Sequence, residues 1–113
     1  MNKVFLIGRL CSAPEMRQTN SGKSVCNMRI AVNRRGTDEA DFFNVTAWGV
    51  VGENCGKYLD KGKQVAVDGS IQIRQYEDNN GNTRYATEII AQNVEFLTPK
   101  NSGETAPVDE IPF

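Results

Sequence analysis

The sequence predicts an all-β domain, a small barrel of five strands with one short helix, followed by a tail that does not fold. Three observations predict it. Most of residues 1–97 alternates polar and apolar side chains with period 2, as half-buried strands do. One stretch, 51–60, replaces that alternation with a helical stripe. Residues 98–108 are mostly Pro, Lys, Asn, Ser, Gly, Glu, Thr and Ala, which cannot bury enough apolar area to order themselves. The expected division is therefore a folded domain over 1–97 and a flexible acidic tail over 98–113.

The first predicted strand covers 3–10. Phe5 and Ile7 point one way, Val4 and Leu6 the other, so this strand is expected to be covered on both sides or used in an interface. Residues 11–22, with Pro14, Asn20 and Gly22, are expected to be an irregular connection. The second strand, 24–34, has an inward row of Cys26, Met28, Ile30 and Val32, with Val25, Asn27, Arg29, Ala31 and Asn33 outward. A polar loop follows over 35–40. The third strand, 41–49, turns Phe43, Val45 and Ala47 inward and Phe42, Asn44, Thr46 and Trp48 outward. In the helix, Val51, Cys55, Tyr58 and Leu59 form an amphipathic stripe, and Gly62 is the expected stop. The fourth strand, 64–76, has Val65, Val67, Ile71 and Ile73 inward, with Gly69 where it can bend. Asn79-Asn80-Gly81 marks a hairpin turn into the fifth strand, 83–97. Three strands, a helix, a long strand, a turn and a last strand is the element order of an OB-fold, a five-stranded Greek-key barrel.

Composition narrows the function. There is no histidine, and the three cysteines are widely spaced, which argues against zinc frameworks, disulfide scaffolds and His-based nucleophile pairs. Buried free thiols are expected. No phosphate-loop motif is present, since Gly49 to Gly56 lacks the Gly-Lys-Ser/Thr ending. The chain is thus expected to be no enzyme and to need no cofactor or metal. No apolar run approaches the roughly 18–20 residues that span a bilayer. The start of the chain lacks the apolar core of a signal peptide. The protein is therefore expected to stay in the cytoplasm where it is made. Residues 1–97 carry 12 Lys and Arg against 11 Asp and Glu, whereas 98–113 carry one lysine against three acids. A mildly basic body joined to an acidic tail favours an anionic ligand.

The outward row of the third strand carries the chemistry. Phe42 and Trp48 share a polar face although Phe43, Val45 and Ala47 already serve the core. Six residues at about 3.3 Å each set the two rings roughly 20 Å apart, so they serve two points of an extended ligand. Tyr76 adds a third outward aromatic near the hairpin. Arg29 and Arg74 stand on the same outward rows, and Arg34 and Arg35 at the mouth of the next loop. Lys3 and Arg84 complete the candidate phosphate contacts. Spaced rings with interleaved cations suit single-stranded nucleic acid, because bases stack on rings and cations track phosphates.

Several segments, in order, carry a resemblance. They are 2–10 (Asn-Lys-Val-Phe-Leu-Ile-Gly-Arg-Leu), Pro14-Glu15-Met16-Arg17, Ala31-Val32-Asn33-Arg34, Lys57-Tyr58-Leu59-Asp60-Lys61-Gly62, 68–76, 83–88, and the ending Asp109-Glu110-Ile111-Pro112-Phe113. Together the chain resembles the bacterial-type single-stranded DNA-binding proteins over nearly its whole length. The resemblance implies a sequence-tolerant binder of single-stranded DNA with stacking residues at Phe42, Trp48 and Tyr76. It implies a homotetramer whose first strands pair across a dimer interface. It also implies that the tip Asp109 to Phe113 docks replication, recombination and repair proteins. The loop 35–40 is shorter than is common in that family and has no aromatic, which removes one stacking contact. The 16-residue tail lacks a long Gly/Gln-rich linker. The alternatives on the same face are an OB-fold RNA-binding module and a primosome-like adaptor protein.

Overall fold

The structure is a computed structural model that describes residues 1–97. The elements are β1 (Val4–Leu10), β2 (Glu15–Gln18), β3 (Ser24–Asn33), β4 (Ala40–Trp48), α1 (Gly49–Tyr58), β5 (Gln64–Glu77) and β6 (Thr83–Phe96). The strands form one sheet in the order β1-β5-β6-β4-β3-β2. A short pairing of Arg9 and Leu10 with Ala31 and Ile30 brings β1 against β3 and closes the sheet into a barrel. The β4–β6 pair is parallel, and the other pairs are antiparallel. This is the OB-fold that the element order predicts.

The inward rows meet in one core. Cys26, Met28 and Ile30 of β3 pack with Val45 and Ala47 of β4, Val65 and Val67 of β5, and Ile89 of β6. The helix plugs one end with Cys55 and Leu59. Gly52 sits against the Ala47 carbonyl, so the helix approaches the β4 backbone more closely than a side chain would permit. Burial raises the Cys26 thiol pKa and, with Cys26 nearby, pushes that of Cys55 up to about 12. Both thiols are therefore neutral and inert; Cys11 is only half-buried.

Five local expectations are corrected. The connection 11–22 contains a sixth strand, β2, which pairs Glu15 to Gln18 with Asn27 to Ser24. All four of its residues are exposed, so it is held by backbone pairing and shows no apolar alternation. Val25, on the outward row, is buried, because it is paired opposite Trp48 on one side and Arg17 on the other. Tyr58 of the helical stripe is exposed and leans on Phe96, ring centroids 6.4 Å apart. Gly62 does not stop the helix, which ends at Tyr58. It serves the following turn, with positive φ and its N–H donating to the Leu10 carbonyl at 2.9 Å.

The fifth correction positions the site. Ile71 and Ile73 were expected inside, but they are 39% and 66% exposed. The two 14-residue strands β5 and β6 each extend about 46 Å, farther than the barrel needs. β5 loses its β1 neighbour beyond Gly69 and β6 loses β4 beyond Glu88, so past the Gln72–Glu88 pair they run on as a two-stranded arm to the turn at Asp78–Asn82. Their register shifts beside Gly69, where Asp68 faces Asn93 and Gly69 faces Ala91.

β1 is two-faced, as expected. Val4 and Leu6 pack on the core, whereas Phe5 and Ile7 are exposed. They line a groove of about 400 Å³ with Ala66 and Asp68.

Candidate nucleic-acid interface

Strand pairing assembles one outer face from four strands. In register, Arg29 of β3 lies opposite Asn44 of β4, Asn44 beside Glu88 of β6, and Glu88 opposite Gln72 of β5. Every second residue along each strand joins this face. Phe42 and Trp48 thus flank Asn44 on β4, and Arg74 and Tyr76 continue from Gln72 along the arm. The three predicted rings are exposed where the outward parity puts them: Phe42 by 53%, Trp48 by 44% and Tyr76 by 45%.

Two of the rings carry an arginine. The Arg29 guanidinium lies 5.1 Å from the Phe42 ring centroid and also donates to Asn44 Oδ1 at 3.5 Å. The Arg74 guanidinium lies 6.0 Å from the Tyr76 centroid, with a loose 3.9 Å ion pair to Glu88. Each pair presents a flat apolar surface and a positive charge at one point, which suits a base with its phosphate.

The other predicted cations are placed differently. Arg84 lies opposite Tyr76, and its Nε donates to Asp78 Oδ2 at 2.8 Å. Asp78 Oδ1 also accepts the Asn80 and Asn82 N–H groups at 2.9 Å each, so one carboxylate organises the whole turn. Arg34 lies beyond the end of β3 and is fully engaged. Its Nε and Nη2 clasp Asp41 at 2.9–3.2 Å, and its Nη1 donates to Glu39 at 2.9 Å. Arg35 is exposed and has no ion pair among the described residues. Lys3 stands with Phe5, bonded to Asp68 at 2.7 Å and Gln92 at 3.2 Å. The predicted docking residues Asp109, Glu110, Ile111, Pro112 and Phe113 lie outside the described residues.

Hydrogen bonds from Arg34 hold the Asp41 carboxyl below the usual carboxylate range, and those from Arg84 and the turn do the same for Asp78. A lowered folded pKa means these links contribute fully above the ordinary carboxylate range. Their contribution is lost as pH falls through the folded value.

Sequence reasoning put Asn27 on the outward row but did not name it as a site residue, and it did not single out Glu15 or Glu88 at all. The alternation identifies which residues point outward, but which strands lie side by side comes from the parallel β4–β6 pairing. The exposed Tyr85 and Ile73 were missed for a related reason, since their parity matches the core and only the projecting arm exposes them.

A model of the Single-strand binding protein family matches residues 1–97 of the chain. The chain is 44% identical over 110 residues to "Single-stranded DNA-binding protein 1" of Staphylococcus aureus, covering 93% of this chain and 70% of that protein. It is 45% identical over 106 residues to "Single-stranded DNA-binding protein 1" of Clostridium acetobutylicum, covering 88% and 96%. It is 44% identical over 107 residues to "Single-stranded DNA-binding protein 2" of Listeria monocytogenes, covering 90% and 67%.

Proposed function

The chain belongs to the Single-strand binding protein family, and on that premise we propose that it coats single-stranded DNA by stacking bases on Phe42, Trp48 and Tyr76. It binds single-stranded DNA with little regard to sequence and protects it. Arg29 and Arg74 hold phosphates beside the rings, and Arg35 extends the path, whereas Arg84 is held by Asp78. The observation that carries this reading is the exposed row of ring-plus-arginine pairs on one continuous sheet face. The activity is binding without catalysis, needs no cofactor, and belongs to the domain 1–97.

Three further parts complete the reading. The tip Asp109 to Phe113 recruits replication, recombination and repair proteins, an assignment supported by its acidic-aromatic chemistry on a tether. The protein assembles as a homotetramer. The edge of β1 between Val4 and Gly8, unpaired among the described residues, and the exposed Phe5 and Ile7 support pairing of first strands. A location in the cytoplasm with the nucleoid follows from the DNA ligand. Among the described residues no helix is long and apolar enough to cross a membrane.

Trp48 is the sole tryptophan, so its fluorescence reports directly on the face. Titration with oligo-dT is expected to quench it deeply, oligo-U less, and added salt to reverse both. Equal or stronger quenching by oligo-U favours the RNA-binding module. Quenching by neither overturns the stacking assignment and favours the adaptor.

The ion pairs make a second prediction. Arg29→Ala is expected to weaken oligo-dT binding about fivefold at low salt and to flatten the salt dependence by about one charge. Arg34→Ala, removing a cation already neutralised by Asp41 and Glu39, is expected to stay within about twofold. Equal losses from both variants contradict the separation of the two arginines.

A further inference from the structure

Between the Phe42 and Trp48 platforms the same face holds a cavity of about 270 Å³. DNA that stacks on both rings crosses it, because Asn44 and Thr46 lie between them on β4. None of the lining residues is aromatic, so a base here has no ring to stack on. Beside the apolar Ala13, Met28 and Val45, its lining supplies the polar residues Asn27, Asn44, Arg29, Thr46, Glu15 and Glu88. Thr46 already donates to Asn27 Oδ1 at 3.2 Å, which orients the Asn27 amide. Glu88 projects from the centre of the row, next to Asn44.

The two carboxylates decide what this cavity accepts. They repel the phosphate chain, so the backbone passes at the arginine edges and the base faces inward. At neutral pH a carboxylate is an acceptor only. It matches an exocyclic amino group, as on cytosine N4, and opposes the O4 carbonyl of thymine. The Asn27 and Asn44 side-chain amide nitrogens supply the donors that the cytosine O2 and N3 acceptors need, since each amide's oxygen already accepts, from Thr46 and from Arg29.

Resting on the single-stranded DNA reading above, we propose that this cavity is a base-reading station that prefers an amino-bearing base, cytosine above all, with Glu88 accepting from its amino group. Coating then remains tolerant of sequence while acquiring a modest bias at one point of the path.

The test is Glu88→Gln, with affinities for oligo-dC and oligo-dT of equal length measured at neutral pH and fixed salt. The glutamine presents a donor that suits thymine O4. The variant is expected to shift the dC-to-dT affinity ratio toward dT by about three- to tenfold. Removing the charge and releasing Arg74 from its 3.9 Å pair changes both affinities alike and cancels in the ratio. A ratio within experimental error of the wild type overturns the station. Wild-type protein that binds both oligomers while the ratio stays fixed defeats this inference alone. Wild-type protein that binds neither defeats the function on which it rests.

Discussion

Phe42→Ala with Trp48→Ala is expected to lower affinity for oligo-dT by at least about thirtyfold, because each ring contributes about 1–3 kcal/mol of stacking and 1.4 kcal/mol is tenfold in affinity. The rings carry no charge. The slope of affinity against salt should therefore stay as in the wild type, whereas loss of an arginine flattens it. That difference separates stacking from phosphate contact in one titration series. The two substitutions are not equivalent for folding. Phe42 lies under Arg29 on the open face, so its loss leaves the core untouched. Trp48 is paired opposite Val25, whose side chain is buried despite its outward parity, so Trp48→Ala exposes apolar surface and lowers the melting temperature as well. Phe42→Ala alone is the decisive variant: unchanged affinity with an unchanged melting curve refutes a stacking role.

The largest effect expected on stability is at Gly69, which packs against the Ile90 carbonyl. A methyl group there meets backbone on the neighbouring strand, and neither strand can shift without breaking the ladder. Gly69→Ala is expected to cost about 1–3 kcal/mol, read from the midpoint of denaturant unfolding. Position 69 is also where β5 and β6 change register, at the last β5 residue paired with β1. The same substitution should therefore displace the arm that carries Arg74 and Tyr76. An unfolding midpoint equal to the wild type contradicts this close approach of the two strands.

How much of this was legible in the chain depended on the type of force involved. Alternation is local, and it placed Phe42, Trp48 and Tyr76 on exposed positions because parity within a strand survives whatever the strand packs against. Turn chemistry is local too. Asp78 and Gly81 close the hairpin around the predicted Asn-Gly through contacts a few residues apart. β2 was not legible, because an exposed edge strand is held by backbone hydrogen bonds that any sequence can make. The exposure of Ile71, Ile73 and Tyr85 was not legible either: their spacing is that of buried residues, and they lie outside because β1 ends opposite Gly69 and β4 stops pairing β6 at Glu88.

Periodicity and turn residues act over a few positions, so the chain alone specifies the class of fold, the order of its elements apart from β2, and the exposure of Phe42, Trp48 and Tyr76. It also carried the family resemblance. Tertiary structure alone decided which cations are free to meet a phosphate. Arg29, Arg34 and Arg84 are alike as residues, yet one lies over a ring, one is clasped by Asp41 and Glu39, and one is tied to Asp78. It alone set Glu88 beside Asn44, through a parallel pairing of strands 44 residues apart in the chain. Charge pairing and strand adjacency depend on distances in space, and spacing along a chain does not encode them.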